Sequence, residues 1–155
     1  MSNATPVASK SARLRVTTTR LCTRAVAAIN PSRKGRGLGT WRAALRWATA
    51  LFISAITLHE LELGVLLKER RDPAQGALLR QWLDQAVRPA FAGRILAVDS
   101  AVAQRSAALP VPDPRPFRDG LIAATALVHS LVVVTRNLAD FEATGVALLN
   151  PWQQE

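Results

Sequence analysis

Two carboxylates bracket residues 117–141, the stretch FRDGLIAATALVHSLVVVTRNLADF. Asp119 lies at the start of an apolar segment with helical spacing, and Asp140 follows the apolar run LVVVT and a polar turn. Hard divalent cations such as Mg²⁺ bind oxygen ligands that converge from several chain segments. Two acids at the ends of neighbouring elements therefore indicate a candidate divalent-metal site.

A third acid, Glu60, follows another buried-type run. Residues 51–56 (LFISAI) form a short apolar segment typical of a buried strand, and a helix is predicted from about residue 58. Thr57 and Glu60 fit a capping box, with threonine at the N-cap and glutamate at the third helical position. The predicted buried side of this helix consists of Leu58, Leu61, Val65 and Leu66.

The remaining elements alternate between helix and strand. Asp72 and Pro73 predict the start of a helix over residues 73–87, and Asp99 predicts the cap of a helix that ends near residue 109. The buried side of the helix over residues 73–87 is predicted to carry Leu78, Leu79, Trp82 and Leu83. Strands are predicted at 94–98, 131–135 and 146–149, a helix that starts at Asp119 and ends near residue 128, a helical turn at 139–143 and a proline-rich loop at 110–116. This alternation implies parallel pairing and a layered α/β fold.

The carboxyl ends of parallel strands meet at one edge of a sheet, where ligands collect. Glu60, Asp119 and Asp140 all fall there if their strands are neighbours. Each acid also has a structural interpretation: Glu60 could close its capping box, Asp119 could cap its helix, and Asp140 could be a solvated turn residue. The placement of all three at one edge favours a shared site.

The first third of the chain has a different composition. Residues 1–59 contain ten Lys and Arg and no Asp or Glu, whereas residues 60–155 contain ten basic and eleven acidic residues. Residues 1–40 are predicted to be disordered or loosely attached, except that residues 21–29 (LCTRAVAAI) could form a short strand or a helix. Residues 40–50 favour a helix. The basic segment could contact nucleic acid or be a solvated tail.

Length and composition limit the number of domains, the cellular location and the roles of cysteine and histidine. At 155 residues with 49% hydrophobic content, the chain is sized for one domain with its own core. No apolar run approaches the roughly 18–20 residues needed to cross a bilayer, and the basic N-terminus lacks an apolar signal segment, so we expect a cytoplasmic protein. The single Cys22 has no partner for a disulfide or a zinc site. His59 and His129 are expected at the surface or beside a site, because Mg²⁺ prefers oxygen ligands.

Three segments resemble a known family. SAITLHELELGV at 54–65, DGLIAATALVHSLVVVTRNLADF at 119–141 and VALLNPW at 146–152 are similar to the PIN-domain ribonucleases, most closely the VapC-type toxins of bacterial toxin–antitoxin pairs. The resemblance implies a three-layer α/β/α fold with a central parallel sheet over residues 41–152. It also implies Mg²⁺- or Mn²⁺-dependent cleavage of RNA, homodimerisation and inhibition by an antitoxin.

The resemblance assigns roles to individual residues. Glu60, Asp119 and Asp140 match three of the family's metal-binding and catalytic acids, and Thr135 and Asn137 match the polar residues beside the metal. The family also has an aspartate at the end of its first strand, within an LLDTN-like sequence. The nearest match here is Leu21, Cys22, Thr23 and Arg24, with cysteine at the acidic position. The first strand is thus not assigned from sequence.

The missing aspartate leaves three functional hypotheses. The first is a PIN-type endoribonuclease toxin whose activity is strongly reduced or absent. The second is a catalytically inactive PIN-like module that binds an antitoxin or dimerises. The third is a nucleic-acid-binding protein whose binding depends on residues 10–46 and weakens steeply with salt.

Overall fold

The limits of each strand and helix are defined for residues 27–29, 51–110 and 116–150, the part of the chain that the computed structural model describes. The strands are β1 (Ala27–Ile29), β2 (Leu51–Ser54), β3 (Ile95–Leu96), β4 (Val132–Val134) and β5 (Leu148–Leu149). The helices are α1 (Ala55–Arg71), α2 (Pro73–Trp82), α3 (Arg88–Ala90), α4 (Ser100–Ala107), α5 (Phe117–Val128) and α6 (Ala139–Glu142). A π-helical turn, Leu83–Val87, joins α2 to α3.

The five strands form one sheet in the order β3-β2-β1-β4-β5. The outer pairs β2–β3 and β4–β5 are parallel, as expected for strands connected through helices. The α/β fold predicted from the sequence is therefore confirmed.

The central strand β1 runs in the opposite direction to both of its neighbours, which makes the sheet mixed rather than wholly parallel. Ile29 is the register partner of Leu51, so β1 ends at the edge of the sheet where β2 begins. Antiparallel strands can be joined along one edge, whereas parallel strands need a crossover. Of the segment 21–29, which the sequence left as strand or helix, residues 27–29 are a strand and residues 21–26 lie outside the described residues.

Most of the predicted elements are found, with changes at their ends. Asp72 and Asp99 are the N-caps of α2 and α4, and their carboxylates accept hydrogen bonds from the backbone of Gln75 at 3.1 Å and Val102 at 2.9 Å. The helix predicted at 40–50, the division at residue 40 and most of the loop at 110–116 lie outside the described residues. No helix within residues 51–110 or 116–150 is long and apolar enough to span a membrane.

The hydrophobic core includes clusters around α5 and β4 and between α1 and α2. The largest cluster packs α5 against β4 and α6, with Ile122, Val133 and Phe141 among its members. A second cluster joins the first two helices through Leu61, Val65, Leu79 and Leu83. Leu66 and Leu78 were predicted to be buried, but they are 40% and 42% exposed. Each lies next to a buried residue in sequence, and one step along a helix turns a side chain by about 100° away from the contact.

The two helices α1 and α2 cross closely at Gly76. A Cβ atom at this position would lie 2.4 Å from the Cα atom of Glu69 and 2.7 Å from its backbone nitrogen. Backbone atoms cannot move aside as the end of a side chain can. The absence of a side chain at Gly76 therefore sets the distance at which the second cluster packs.

Five charged residues connect α1 to the end of α2 and to α3. Arg80 lies 2.5 Å from Glu62 and 3.0 Å from Glu69, both on α1. Arg88 lies 2.8 Å from Glu62 and 3.0 Å from Asp84. The hydrogen bond from Arg80, together with that from Arg88, holds the pKa of Glu62 below its ordinary value. The hydrogen bonds that Arg80 donates to Glu69 and Glu62 raise the pKa of Arg80.

We expect Gly76→Ala to lower the free energy of unfolding by about 1–3 kcal/mol, because an overpacked contact outweighs the gain of about 1 kcal/mol that alanine gives a helix. Urea denaturation followed by circular dichroism measures this. The exposed Ala77→Gly in the same helix is the control and should cost about 1 kcal/mol through helix propensity alone. Stabilisation by Gly76→Ala would show that the crossing has room for a methyl group.

The lowered pKa of Glu62 predicts a dependence of stability on pH. A carboxylate with a lowered folded-state pKa stabilises the protein above its unfolded pKa, here about 4.5, and loses this contribution as pH falls through the folded value. The difference in unfolding free energy between wild type and Glu62→Gln should therefore be constant near pH 7 and shrink below about pH 4.5. Glu142→Gln, at an exposed position, is the control. A wild-type advantage that persists undiminished to pH 2.5 would contradict the prediction.

Candidate active site at the carboxyl edge of the sheet

Glu60 lies in the second turn of α1, because this helix begins earlier than its sequence predicts. Ser54 is the N-cap, and its hydroxyl accepts a hydrogen bond from the backbone nitrogen of Thr57 at 3.0 Å. The Ser54 and Thr57 hydroxyls are also 3.1 Å apart. The predicted capping box between Thr57 and Glu60 is therefore wrong: Thr57 is the third residue of the helix and is buried.

Glu60 therefore does not close a capping box with Thr57, which was its structural interpretation. The glutamate side chain is 13% exposed, and its Oε2 atom is buried and accepts no hydrogen bond from the described residues. A buried carboxylate oxygen without a partner is costly. Its burial points to a role other than the capping of α1.

Asp119 is the third residue of α5 and is only 5% exposed. No side chain caps this helix, whose N-cap is Pro116. A carboxylate in the first turn is favoured by the helix dipole. At the other end, Ser130 adopts a positive φ of 53°, and Leu131 donates a hydrogen bond to the carbonyl of Ala126 at 2.8 Å. This Schellman turn leads directly from α5 into β4.

The polar turn after β4 holds Thr135, Asn137 and Asp140 together. The buried Thr135 hydroxyl accepts a hydrogen bond from the backbone nitrogen of Asn137 at 3.1 Å. The side-chain amide of Asn137 donates to the carboxylate of Asp140, which is half-buried at the start of α6. The three residues predicted to act together after this strand are therefore linked by hydrogen bonds.

An arginine that the sequence analysis did not single out connects Glu60 to the start of α5. Arg118 Nη1 lies 3.7 Å from Glu60 Oε1, and α1 and α5 are in contact. A basic residue in the first turn of a helix is disfavoured by the helix dipole. That position, directly before Asp119, was the signal in the sequence that Arg118 needs a partner elsewhere.

The described residues do not form a complete metal site. They include no group of three or more His, Cys, Asp and Glu side chains placed to hold a metal ion. Glu60 is paired with Arg118, and Asp140 accepts from Asn137. Glu60, Asp119 and Asp140 lie at one edge of the sheet, and within the described part of the chain they do not form such a group of three. His59 and His129 are both exposed.

The fold is that of an α/β domain, and comparison with known proteins identifies its family. Residues 25–146 match the PIN domain, and the chain therefore belongs to the PIN domain family. The resemblance to VapC-type PIN toxins is likewise confirmed.

Two characterised relatives are a toxin and a ribonuclease. The chain is 43% identical to Toxin FitB of Neisseria gonorrhoeae over 107 residues, which cover 66% of this chain and 76% of FitB. It is 36% identical to VapC ribonuclease Y4jK of Sinorhizobium fredii over 124 residues, which cover 72% and 86% of the two chains.

Solved structures agree with this assignment. The structure of FitAB bound to an IR36 DNA fragment contains a chain that is 34% identical, with a TM-score of 0.63 over 79% of this chain and 89% of that one. FitAcB from Neisseria gonorrhoeae gives a TM-score of 0.59 at 35% identity, over 79% of this chain and 91% of that one.

The cap of α1 provides a test of how Glu60 is positioned. We expect Ser54→Ala to lower the free energy of unfolding by about 1–2 kcal/mol, because it removes the side chain that accepts from the first turn of the helix. Chemical denaturation measures this. Ser100→Ala, at the exposed first residue of α4, is the control, since Asp99 caps that helix. Equal effects of the two substitutions would contradict the assignment of Ser54 as the cap.

Proposed function

We propose that this protein is a PIN-domain toxin of a toxin–antitoxin pair whose ribonuclease activity is strongly reduced or absent. Its relatives include Toxin FitB and a VapC ribonuclease, which supports the toxin class and RNA as substrate. The loss of activity is supported by one observation above all. The acid-free first third of the chain supplies the central strand of the sheet, and this strand runs against its neighbours.

The direction of β1 determines which residues its ends bring to the site. Ala27 pairs with Ile53 and Val134 near the carboxyl ends of β2 and β4, whereas Ile29 pairs with Leu51 and Val132 at their opposite ends. The carboxyl end of β1 therefore lies at the opposite edge of the sheet from the candidate site. In addition, residues 1–59 contain no Asp or Glu that could join Glu60, Asp119 and Asp140.

The proposed ligands of Mg²⁺ or Mn²⁺ in a complete site of this kind are Glu60, Asp119 and Asp140, with Thr135 and Asn137 in support. Such a cation relieves the repulsion among clustered carboxylates and makes a bound water a better nucleophile toward phosphate. With one acid missing and Glu60 paired to Arg118, the cluster has fewer ligands for the cation and fewer anchors for the water. We therefore expect weak metal binding and slow cleavage.

The second candidate is a catalytically inactive module that binds an antitoxin or forms a homodimer. The pairing of Glu60 with Arg118 favours it, since the guanidinium charge competes with a metal cation for the carboxylate. The structural neighbours are named FitAB and FitAcB, which supports an antitoxin partner for this chain as well. For both candidates the proposed location is the cytoplasm.

An RNA-cleavage assay with Mg²⁺ or Mn²⁺ tests the proposed loss of activity. Cleavage should be at least about 100-fold slower than by an active PIN ribonuclease assayed in parallel, because residues of one catalytic cluster act as a unit. Any residual cleavage should be unaffected by Glu142→Gln, at an exposed position on α6. Rapid cleavage that Asp119→Asn abolishes would overturn the proposal.

Co-expression with the cognate antitoxin separates the two candidates. A toxin with residual activity should cleave RNA slowly when free and stop when the antitoxin is bound. An inactive module should co-purify with the antitoxin and show the same background cleavage with and without it. Size-exclusion chromatography with light scattering then reports whether the chain alone is a dimer.

A further inference from the structure

We propose that Arg118 supplies the positive charge at this site that the family would obtain from a divalent cation, so that Glu60 is held within the chain as an ion pair and does not bind metal. This inference rests on the proposed function, for which it gives a physical cause. The two residues come from different helices, α1 and α5, and meet at the carboxyl edge of the sheet.

Glu60 needs a compensating charge because it is largely removed from water. Only 13% of its side chain is exposed, whereas 47% of the Arg118 side chain is exposed. Burial raises the cost of an unpaired carboxylate and strengthens its attraction to a nearby cation. Within the described residues, Arg118 is the cation that lies within ion-pair distance of Glu60, at 3.7 Å.

Arg118 reaches toward Glu60 from a position that is unfavourable for a cation. It is the second residue of α5, where the helix dipole and the unpaired backbone N–H groups favour negative charge. Its long side chain could extend into solvent from this exposed position, but it approaches a carboxylate on another helix instead. The attraction of Glu60 offsets the unfavourable position of Arg118.

The geometry of the pair also explains why it does not reproduce a metal site. A separation of 3.7 Å is too long for a hydrogen bond, so the contact is one of charge with charge. It leaves Glu60 Oε2 buried and without a hydrogen bond from the described residues. A guanidinium carries one positive charge and only N–H donors, and it has no open coordination position for a water molecule. The pair can neutralise Glu60 but cannot activate a nucleophile.

A double-mutant cycle on the full chain tests the pairing. Arg118→Gln should lower the folded-to-unfolded ratio about five- to tenfold, because it leaves Glu60 uncompensated. Arg118→Lys should retain part of the stability, since it keeps the charge. In a Glu60→Gln background, Arg118→Gln should have little further effect. Arg105→Gln, at an exposed arginine of α4, controls for the change in net charge. Additive effects of the substitutions at 60 and 118 would overturn the proposal.

Metal titration provides a second readout that does not depend on activity. The thermal midpoint of the wild-type chain in EDTA is the reference. Millimolar MnCl₂ or MgCl₂ should shift this midpoint no more than NaCl of equal ionic strength does. A wild-type shift that saturates below millimolar Mn²⁺ and disappears in Glu60→Gln would overturn the proposal. Coupling of residues 60 and 118 together with rapid RNA cleavage would instead overturn the proposed loss of activity and leave the pairing in place. Additive effects of the substitutions at 60 and 118, together with absent RNA cleavage, would overturn the pairing and leave the proposed loss of activity in place.

Discussion

The sheet depends on the strand that occupies its centre. β1 is hydrogen-bonded to both β2 and β4, and without it the sheet would separate into the two parallel pairs β2–β3 and β4–β5. A gap at this position would leave backbone N–H and C=O groups of two buried strands without partners, which is expensive in a protein interior. Pairing satisfies these groups whichever way the inserted strand runs, because every residue of a short strand offers one donor and one acceptor. The direction of β1 can therefore change while the surrounding layers are retained.

Strand direction matters much more for the site than for the fold. The elements that carry Glu60, Asp119 and Asp140 are built around β2, α5 and β4, all of which pack into the main hydrophobic core or directly beside it. Their positions do not depend on which end of β1 faces the site. A catalytic ligand at the end of the central strand does depend on it, since reversal places that end at the opposite edge. The fold and the composition of the site can therefore vary independently of each other.

The electrostatics of the candidate site concerns Glu60, Asp119 and Asp140. Carboxylates gathered at one edge of a sheet repel one another and need positive charge nearby. Among the described residues, Arg118 supplies a positive charge to Glu60, and the neutral amide of Asn137 donates a hydrogen bond to Asp140. The network of Glu62, Glu69, Arg80, Asp84 and Arg88 lies elsewhere, between α1 and the end of α2, and serves to hold those helices together.

The amino-acid sequence by itself determined the α/β class, the caps Asp72 and Asp99, the helix that begins near Asp119 and the polar turn after β4. These features depend on local patterns, namely apolar periodicity, capping residues and turn chemistry, which act over a few residues. The PIN family was also accessible from three short segments, because their residue types are specific to its site. The start of α1 was misassigned because Ser54 and Thr57 are both acceptable caps, and only the burial of Thr57 in the packed structure separates them.

Only the tertiary structure decided the direction of β1, the crossing at Gly76 and the partner of Glu60. The direction of a three-residue apolar strand leaves no trace in its sequence, since the same residues pair in either orientation. The contact between Gly76 and Glu69 joins two different helices, and the pair between Arg118 and Glu60 joins residues far apart in the chain. Such contacts are set by how helices pack on one another, and packing depends on the whole molecule.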